Sequence, residues 1–326
     1  MFATVSGGLP RPPSPASGGI EEGDPDVRRA LDDELVREVI AFQEAAGLEA
    51  LSDGRVRFDD PFAWPATDAD RARWPARRAV EVWRFASACT SAAVKQAVPG
   101  PFSLGRRLTL DRGRRRRTLE LAEALNEEIH ALAAAGCPLV EIEEADAAVI
   151  DGDAGERRLF RDAHRRLTDG VDGVHLSLAI VGPSSDTAGA ETIFDAPYAS
   201  YLFDLIAGPD DWRLVTKAPA DRGIVCGAMS AEANGDEGAE LLVWAAHYAA
   251  SSGGRGLDRV GLANAAGFER LPWDIAARKI RRLGEAARIA ALPRTGELAR
   301  ALDPRAVSSR SAALGRYVPR PHRART

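Results

Sequence analysis

The sequence predicts a single-domain α/β fold of the (β/α)8 TIM-barrel type, and three observations predict it. Short, continuous apolar runs alternate with helical stretches along most of the chain, which is how parallel strands covered on both faces read. About seven or eight such runs can be counted, enough to close a barrel rather than stop at an open sheet. No GxGxxG or P-loop glycine pattern follows an early strand, which argues against nucleotide-binding doubly wound sheets.

The elements follow in order. Residues 10–25, rich in Pro, Gly and Ser, predict an irregular loop. Leu31, Leu35, Val39 and Phe42 stand at helical spacing, so 31–46 is a helix that Gly47 ends. A short apolar segment, 48–51, leads into Ser52-Asp53-Gly54. Strands are expected at 92–98, 139–142, 173–181, 201–206, 223–229 and 259–263. Helices are expected at 118–135, where Leu121, Leu125, Ile129 and Leu132 share a face, and at 157–167, 236–250 and 273–291. The barrel is expected to occupy 1–292. Residues 293–326 read as a basic terminal tail, and Arg114 to Arg117 as a solvated loop before a helix.

Composition narrows the function. The chain has 326 residues, 45% hydrophobic and 28% charged, with a net charge of −5. That suits one large barrel and gives no field favouring nucleic acid or an anionic membrane. Three widely spaced cysteines form neither a disulfide framework nor a CxxC pair. With no signal peptide and no long apolar span, a reducing cytoplasm is expected.

In a barrel of this type the chemistry sits at the C-terminal ends of the strands. Polar residues expected there are Asp53 with Arg55 and Arg57; Glu141, Glu143 and Glu144; His175 and Ser177; Asp204; and Cys226 with Ser230. Each is open to a structural hydrogen bond as well, because burying it unsatisfied is costly. His175 and Ser177 alternate on one strand face. A His-x-Cys there would make two metal ligands, but serine is a poor one at neutral pH.

Several motifs occur in a recognisable order. They are Gly7-Gly8-Leu9-Pro10-Arg11-Pro12, Phe42-Gln43-Glu44-Ala45-Ala46-Gly47 followed by Ser52-Asp53-Gly54-Arg55, Pro99-Gly100-Pro101-Phe102-Ser103, Ile142-Glu143-Glu144-Ala145, and Gly267 through Leu271-Pro272 to Lys279. In these the chain resembles the C-terminal catalytic domain of cobalamin-independent methionine synthase and its short single-domain relatives. The resemblance implies the barrel and transfer of a methyl group from a folate or a methylated corrinoid protein to a zinc-bound thiolate. The zinc ligands it implies fall on His175, Ser177, a position near Asp204, and Ala266, so both cysteines are replaced. Gly8 stands for the family's serine, Glu143 for its aspartate, and Glu144 keeps its glutamate.

The expectation is therefore a diverged methyl or alkyl transferase with a degenerate zinc site, not a true methionine synthase. His175, Glu144 and Asp204 are its candidate catalytic residues. Arg11, Asp53, Arg57, Glu143, Ser177, Cys226 and Ser230 are its candidate substrate-binding residues. No cofactor is expected, and a metal, if any, would lie on His175 and Asp204. The partner is a small-molecule substrate, with a methyl-donor protein a further option; nucleic acid and membrane are not expected, and the oligomeric state is open. Two alternatives remain: a zinc-dependent homocysteine or thiol S-methyltransferase with a site rebuilt through Cys226, and a non-catalytic small-molecule binding or partner protein.

Overall fold

The computed structural model describes residues 1–13, 25–57, 78–108, 113–235 and 237–293. Most of the expected 10–25 loop and all but the first residue of the expected tail lie outside these. The strands are β1 (Phe2–Ala3), β2 (Ala50–Leu51), β3 (Ala93–Val94), β4 (Gln96–Pro99), β5 (Leu139–Glu144), β6 (His175–Ile180), β7 (Ser200–Asp204), β8 (Gly223–Met229) and β9 (Val260–Asn264). The helices are α1 (Pro25–Ala45), α2 (Arg78–Ser87), α3 (Pro101–Leu108), α4 (Arg114–Ala134), α5 (Ala154–Thr168), α6 (Ala190–Ile193), α7 (Trp212–Lys217), α8 (Ala239–Ser251) and α9 (Trp273–Ala290).

All named strand pairs are parallel, in the order β1-β9-β8-β7-β6-β5-β4, with β2 beside β3. Two contacts close the ring. Thr4, just past β1, forms a parallel bridge with Ala50. Lys95, the single residue between β3 and β4, donates its N–H to Leu51 O at 2.8 Å, so β3 and β4 are two segments of one strand. The barrel is thus complete, with the helices outside it.

The expected face of α4 is the buried one: Leu121, Leu125, Ile129 and Leu132 are all at most 1% exposed. Expected strand 223–229 is β8 without change. Five elements escaped the sequence reading, among them α6 and α7, which have only four and six residues. β1 has only two residues, too few to show a period. α2 carries a buried stripe of Val80, Trp83 and Ala86 over barely three turns. α3 begins at Pro101, in a Pro-Gly-Pro stretch that reads as a turn although proline is well tolerated in the first helical turn.

Arg114 to Arg117 are not a loop. They form the first turn of α4, and Arg114 and Arg115 pair with Glu156 and Asp162 on α5. Those partners offset the unfavourable placement of cations at a helix N-terminus.

The barrel interior is divided by chemistry. Residues paired across parallel strands share a face, so the register Glu141↔Ser177 and Glu143↔Ala179 puts all four inside. On the β6–β9 side the filling is apolar: Ala179, Leu202, Val225 and Ala263 pack together with Phe2 and Val181. On the β2–β5 side it is charged. Lys95 Nζ meets Glu141 Oε2 at 2.7 Å, with both side chains at most 3% exposed, and Arg55 pairs with Glu143.

Candidate functional site

The C-terminal mouth is built by turns that follow β1, β2, β4 and β9. Gln43 on α1 shapes the second of these. Its Nε2 donates to Ser52 O at 2.7 Å while its Oε1 accepts from Ser52 N at 3.1 Å. That clamp explains why glutamine precedes the Asp53-Gly54 turn by ten residues. Gly54 and Arg55 both have left-handed backbone, φ 62° and 53°, and the Asp53 carboxylate holds the turn by accepting from Arg55 N at 3.0 Å. The left-handed kink sends Arg55 into the barrel rather than out to solvent.

The first and last turns are locked together. Asn264 Oδ1 accepts from Ser6 N at 2.9 Å, and its Nδ2 donates to Ser6 O and Ala266 O at 2.6 and 2.7 Å. Gly7 (φ 73°) runs so close to Gly267 that a Cβ on it would stand 2.6 Å from Gly267 Cα. The result aims Gly7 N–H at Glu143 Oε1, 3.2 Å away. Glu143 thus receives a guanidinium from the second turn and a backbone donor from the first.

This cluster has hydrogen-bonding capacity left over. Ser6 Oγ, Asp53 Oδ2, Arg55 Nε, Glu141 Oε1 and Ser177 Oγ are buried and have no partner among the described residues. Burial pushes the Asp53 carboxyl up, against the opposing pull of the Arg55 backbone N–H and the nearby guanidinium groups. Burial also raises Glu141, and neighbouring Glu143 adds to the effect while Lys95 opposes it. Buried orphan polar atoms mark places for ordered water or ligand atoms.

The structure moves several expected site residues elsewhere. His175 is the first residue of β6, not near its C-terminal end. It is exposed at the N-terminal mouth, where its Nε2 lies 2.7 Å from Ser200 Oγ. The apolar run continues past it to Ile180, so histidine opens the strand rather than closing it. Glu144 points outward into the helix layer. It accepts from Phe102 N and Ser103 N at 3.0 and 2.8 Å and from Ser103 Oγ, and it lies 3.0 Å from His164 Nε2. Strand alternation separates it from Glu141 and Glu143.

Cys226 also faces outward, with Sγ 3.7 Å from Ala245 O on α8, and burial pushes its thiol up to about 12. Asp204 does lie at the C-terminal mouth, but its carboxylate accepts from Gly182, Ile206 and Ala207 N–H at 3.2, 3.0 and 2.8 Å. Burial raises its pKa, with those N–H groups pulling the other way. Ser230, just past β8, accepts from Glu232 N at 3.0 Å. Arg11 Nε donates to Val56 O at 3.0 Å. Arg57 pairs with Asp33 at 2.6 Å and lies over the Phe85 ring at 4.6 Å.

Zinc fits this arrangement poorly. With Ser177 opposite Ser200, His175 and Asp204 are six residues apart along the strand direction, about 20 Å at ~3.3 Å per residue. At the level of Glu143 the inward residues of β6 are Ala179 and Val181, and the turn after β9 offers Ala266; none of these is a metal donor. Among the described residues no three His, Cys, Asp or Glu converge, where a zinc centre needs at least three protein ligands.

Sequence reasoning placed Asp53 and Glu143 at the mouth and named Arg55 and Glu141 beside them. It missed Ser6, Lys95 and Asn264. Lys95 carried a usable signal, as a lysine in a largely apolar stretch four residues before the Pro99-Gly100 turn.

A complete parallel barrel with its polar turns at the strand C-terminal ends is a (β/α)8 fold. No protein-family model matches the chain, and no curated protein sequence matches it significantly. Solved structures do. One is a B12-independent methionine synthase from Shewanella sp. W3-18-1 in complex with selenomethionine: 17% identity, 88% of this chain and 96% of that one covered, TM-score 0.71. Another, from Listeria monocytogenes, is described as a vitamin-B12-independent methionine synthase: 16% identity, 88% and 97% covered, TM-score 0.67. A methyltransferase from Methanosarcina mazei follows at 14% identity, 78% and 85% covered, TM-score 0.55. The chain therefore has the barrel fold of the cobalamin-independent methionine synthases. No helix among the described residues is long and apolar enough to cross a membrane.

Proposed function

We propose that this chain is a diverged member of the cobalamin-independent methionine synthase family. On this reading it binds an amino-acid-like molecule at the C-terminal mouth and transfers a methyl or alkyl group without a protein-bound zinc centre. The observation that carries the reading is the cluster around Glu143: a buried carboxylate flanked by Arg55 and Gly7 N–H, with Ser6 Oγ, Asp53 Oδ2 and Arg55 Nε still open. Such a set offers acceptors for an ammonium and donors for a carboxylate, as a bound zwitterion requires. The Shewanella neighbour's bound selenomethionine supports that class of ligand.

In this account Glu143 and Asp53 hold the cationic end, and Arg55 and Ser6 the anionic end. Glu141, with its raised pKa, is the buried carboxyl nearest to them along β5 and can hold or release a proton below the ligand. His175, Glu144 and Cys226 take no part. The acceptor would have to be a nucleophile that needs no metal to ionise it.

A second reading is favoured by one observation: Glu143 and Glu141 are each neutralised by an adjacent cation, which suits binding better than turnover. The chain would then be a non-catalytic small-molecule binding protein. Calorimetric titration with L-methionine and related amino acids, followed by a methyl-transfer assay with the binders, tests both. Binding with turnover supports the transferase, and binding without turnover the binding protein. No binding by any member of the panel would overturn the proposed site. Stoichiometric zinc in purified protein would instead establish a rebuilt metal centre and sink the metal-free transfer.

A further inference from the structure

A cleft of about 580 Å3 opens at the opposite end of the barrel, among the N-terminal ends of the strands. Sites for small organic ligands run from roughly 300 to 1,000 Å3 and combine apolar walls with a few placed polar groups. This cleft has that composition. Phe2, Leu139, Ile224 and Val225 supply apolar surface, and His175 and Ser200 form one hydrogen-bonded pair at 2.7 Å. Ser200 is 5% exposed, so its hydroxyl belongs to the cleft and not to the outer surface.

Charge selects among ligands. Glu49, Asp221 and Asp258 line the opening, with Arg259 the only guanidinium among the lining residues. Lys95 also lines the cleft, but its ammonium is held by Glu141 at 2.7 Å and the pair adds no net charge. Asp221 is likewise held by Arg222 at 3.3 Å, so the net negative charge of the lining rests on Glu49 and Asp258 against Arg259. Partial desolvation at the cleft lowers the His175 imidazole from its ordinary pKa, which disfavours a competing positive charge beside Ser200.

We propose that the N-terminal cleft is a second small-molecule site, selective for an organic cation with a hydrocarbon body, such as a primary amine. The hydrocarbon would lie on Phe2, Leu139 and Ile224, and the ammonium would face the Glu49 and Asp258 carboxylates within reach of the His175–Ser200 pair. In barrels of this type the N-terminal face ordinarily serves stability, so this site is separate from the C-terminal mouth and does not depend on the reading given to that mouth.

The test uses three matched probes at pH 7.5 and low ionic strength: cyclohexylmethylammonium, cyclohexylmethanol and cyclohexanecarboxylate, titrated into the full chain by calorimetry. The ammonium should bind at least about tenfold tighter than either control. The exposed-rim double variant Glu49→Gln/Asp258→Asn should bring it to the level of the alcohol, and Ser200→Ala should weaken it independently. Glu143→Gln, at the other mouth, should leave it unchanged. Equal affinity for the three probes, no binding, or an ammonium affinity indifferent to the rim variant would overturn the proposal. Loss of binding in Glu143→Gln alone would assign the amine to the C-terminal mouth instead.

Discussion

Lys95 and Glu141 form a buried ion pair inside the barrel. Two charges with side chains at most 3% exposed face each other at 2.7 Å. Removing one partner leaves the other buried and uncompensated, at a cost of about 3–5 kcal/mol. Lys95→Ala should therefore lower the stability measured by urea denaturation by about that much. Lys95→Met combined with Glu141→Leu should recover most of it, because an apolar pair has no charge to desolvate. The cysteines give a second prediction at this scale. Cys137 and Cys226 are buried, with thiols pushed up to about 12, whereas Cys89 is only partly buried. A thiol reagent at pH 8 should label Cys89 in the native protein and reach the other two only after unfolding. Reaction of Cys226 in the native state would contradict its outward, helix-packed position. At this scale the sequence was legible in residue type but not in direction. Glu143 and Glu144 are adjacent and chemically alike, yet one enters the barrel and the other supports α3, because a strand turns alternate side chains to opposite faces. His175 was misplaced for a related reason: an apolar run shows that a strand exists, but the position of a polar residue within it depends on where pairing begins.

Among the elements, α3 and the loop before α7 each hang on one carboxylate. Glu144 accepts the N–H groups of Phe102 and Ser103 at the start of α3, and hydrogen bonds to a charged group contribute about 1.5–3 kcal/mol. Glu144→Ala should destabilise the fold by at least that amount while leaving ligand affinity at the C-terminal mouth intact in the folded fraction. Asp211 accepts from Ser185 N at 2.7 Å, and burial raises its pKa from 3.8 to about 6, against the pull of the Ser185 hydrogen bonds. A carboxyl with a raised folded-state pKa favours folding while protonated. Its contribution is full below about pH 4 and is lost as the pH rises through about 6. Asp211→Asn should remove that dependence, so the melting temperature of the variant should fall less than that of the wild type between pH 4 and pH 6.5. The long amphipathic helices and continuous strands were legible because each repeats its period several times. β1, α2 and α3 were not, being two residues long, weakly striped, or hidden behind Pro-Gly-Pro.

For the whole molecule, closure of the barrel gives it two mouths of different chemistry. The C-terminal one gathers Ser6, Asp53, Arg55 and Glu143 through turns locked by Gln43 and Asn264. The N-terminal one gathers His175, Ser200 and a carboxylate rim. The fold could be read from the alternation of strands and helices and from the order of the motifs. The site could be read only in part, because which inward positions meet across the barrel is set by strand register, which one sequence does not display. The amino-acid-like ligand is assigned to the C-terminal mouth, without a metal. The direct measurement is the affinity for L-methionine, in the presence of EDTA, of wild type, Glu143→Gln and His175→Ala. Wild type should bind in EDTA, Glu143→Gln should weaken binding about tenfold or more, as loss of a charge-assisted contact does, and His175→Ala should bind as wild type does. Binding that EDTA abolishes and zinc restores, or that His175→Ala loses while Glu143→Gln keeps it, would contradict the account.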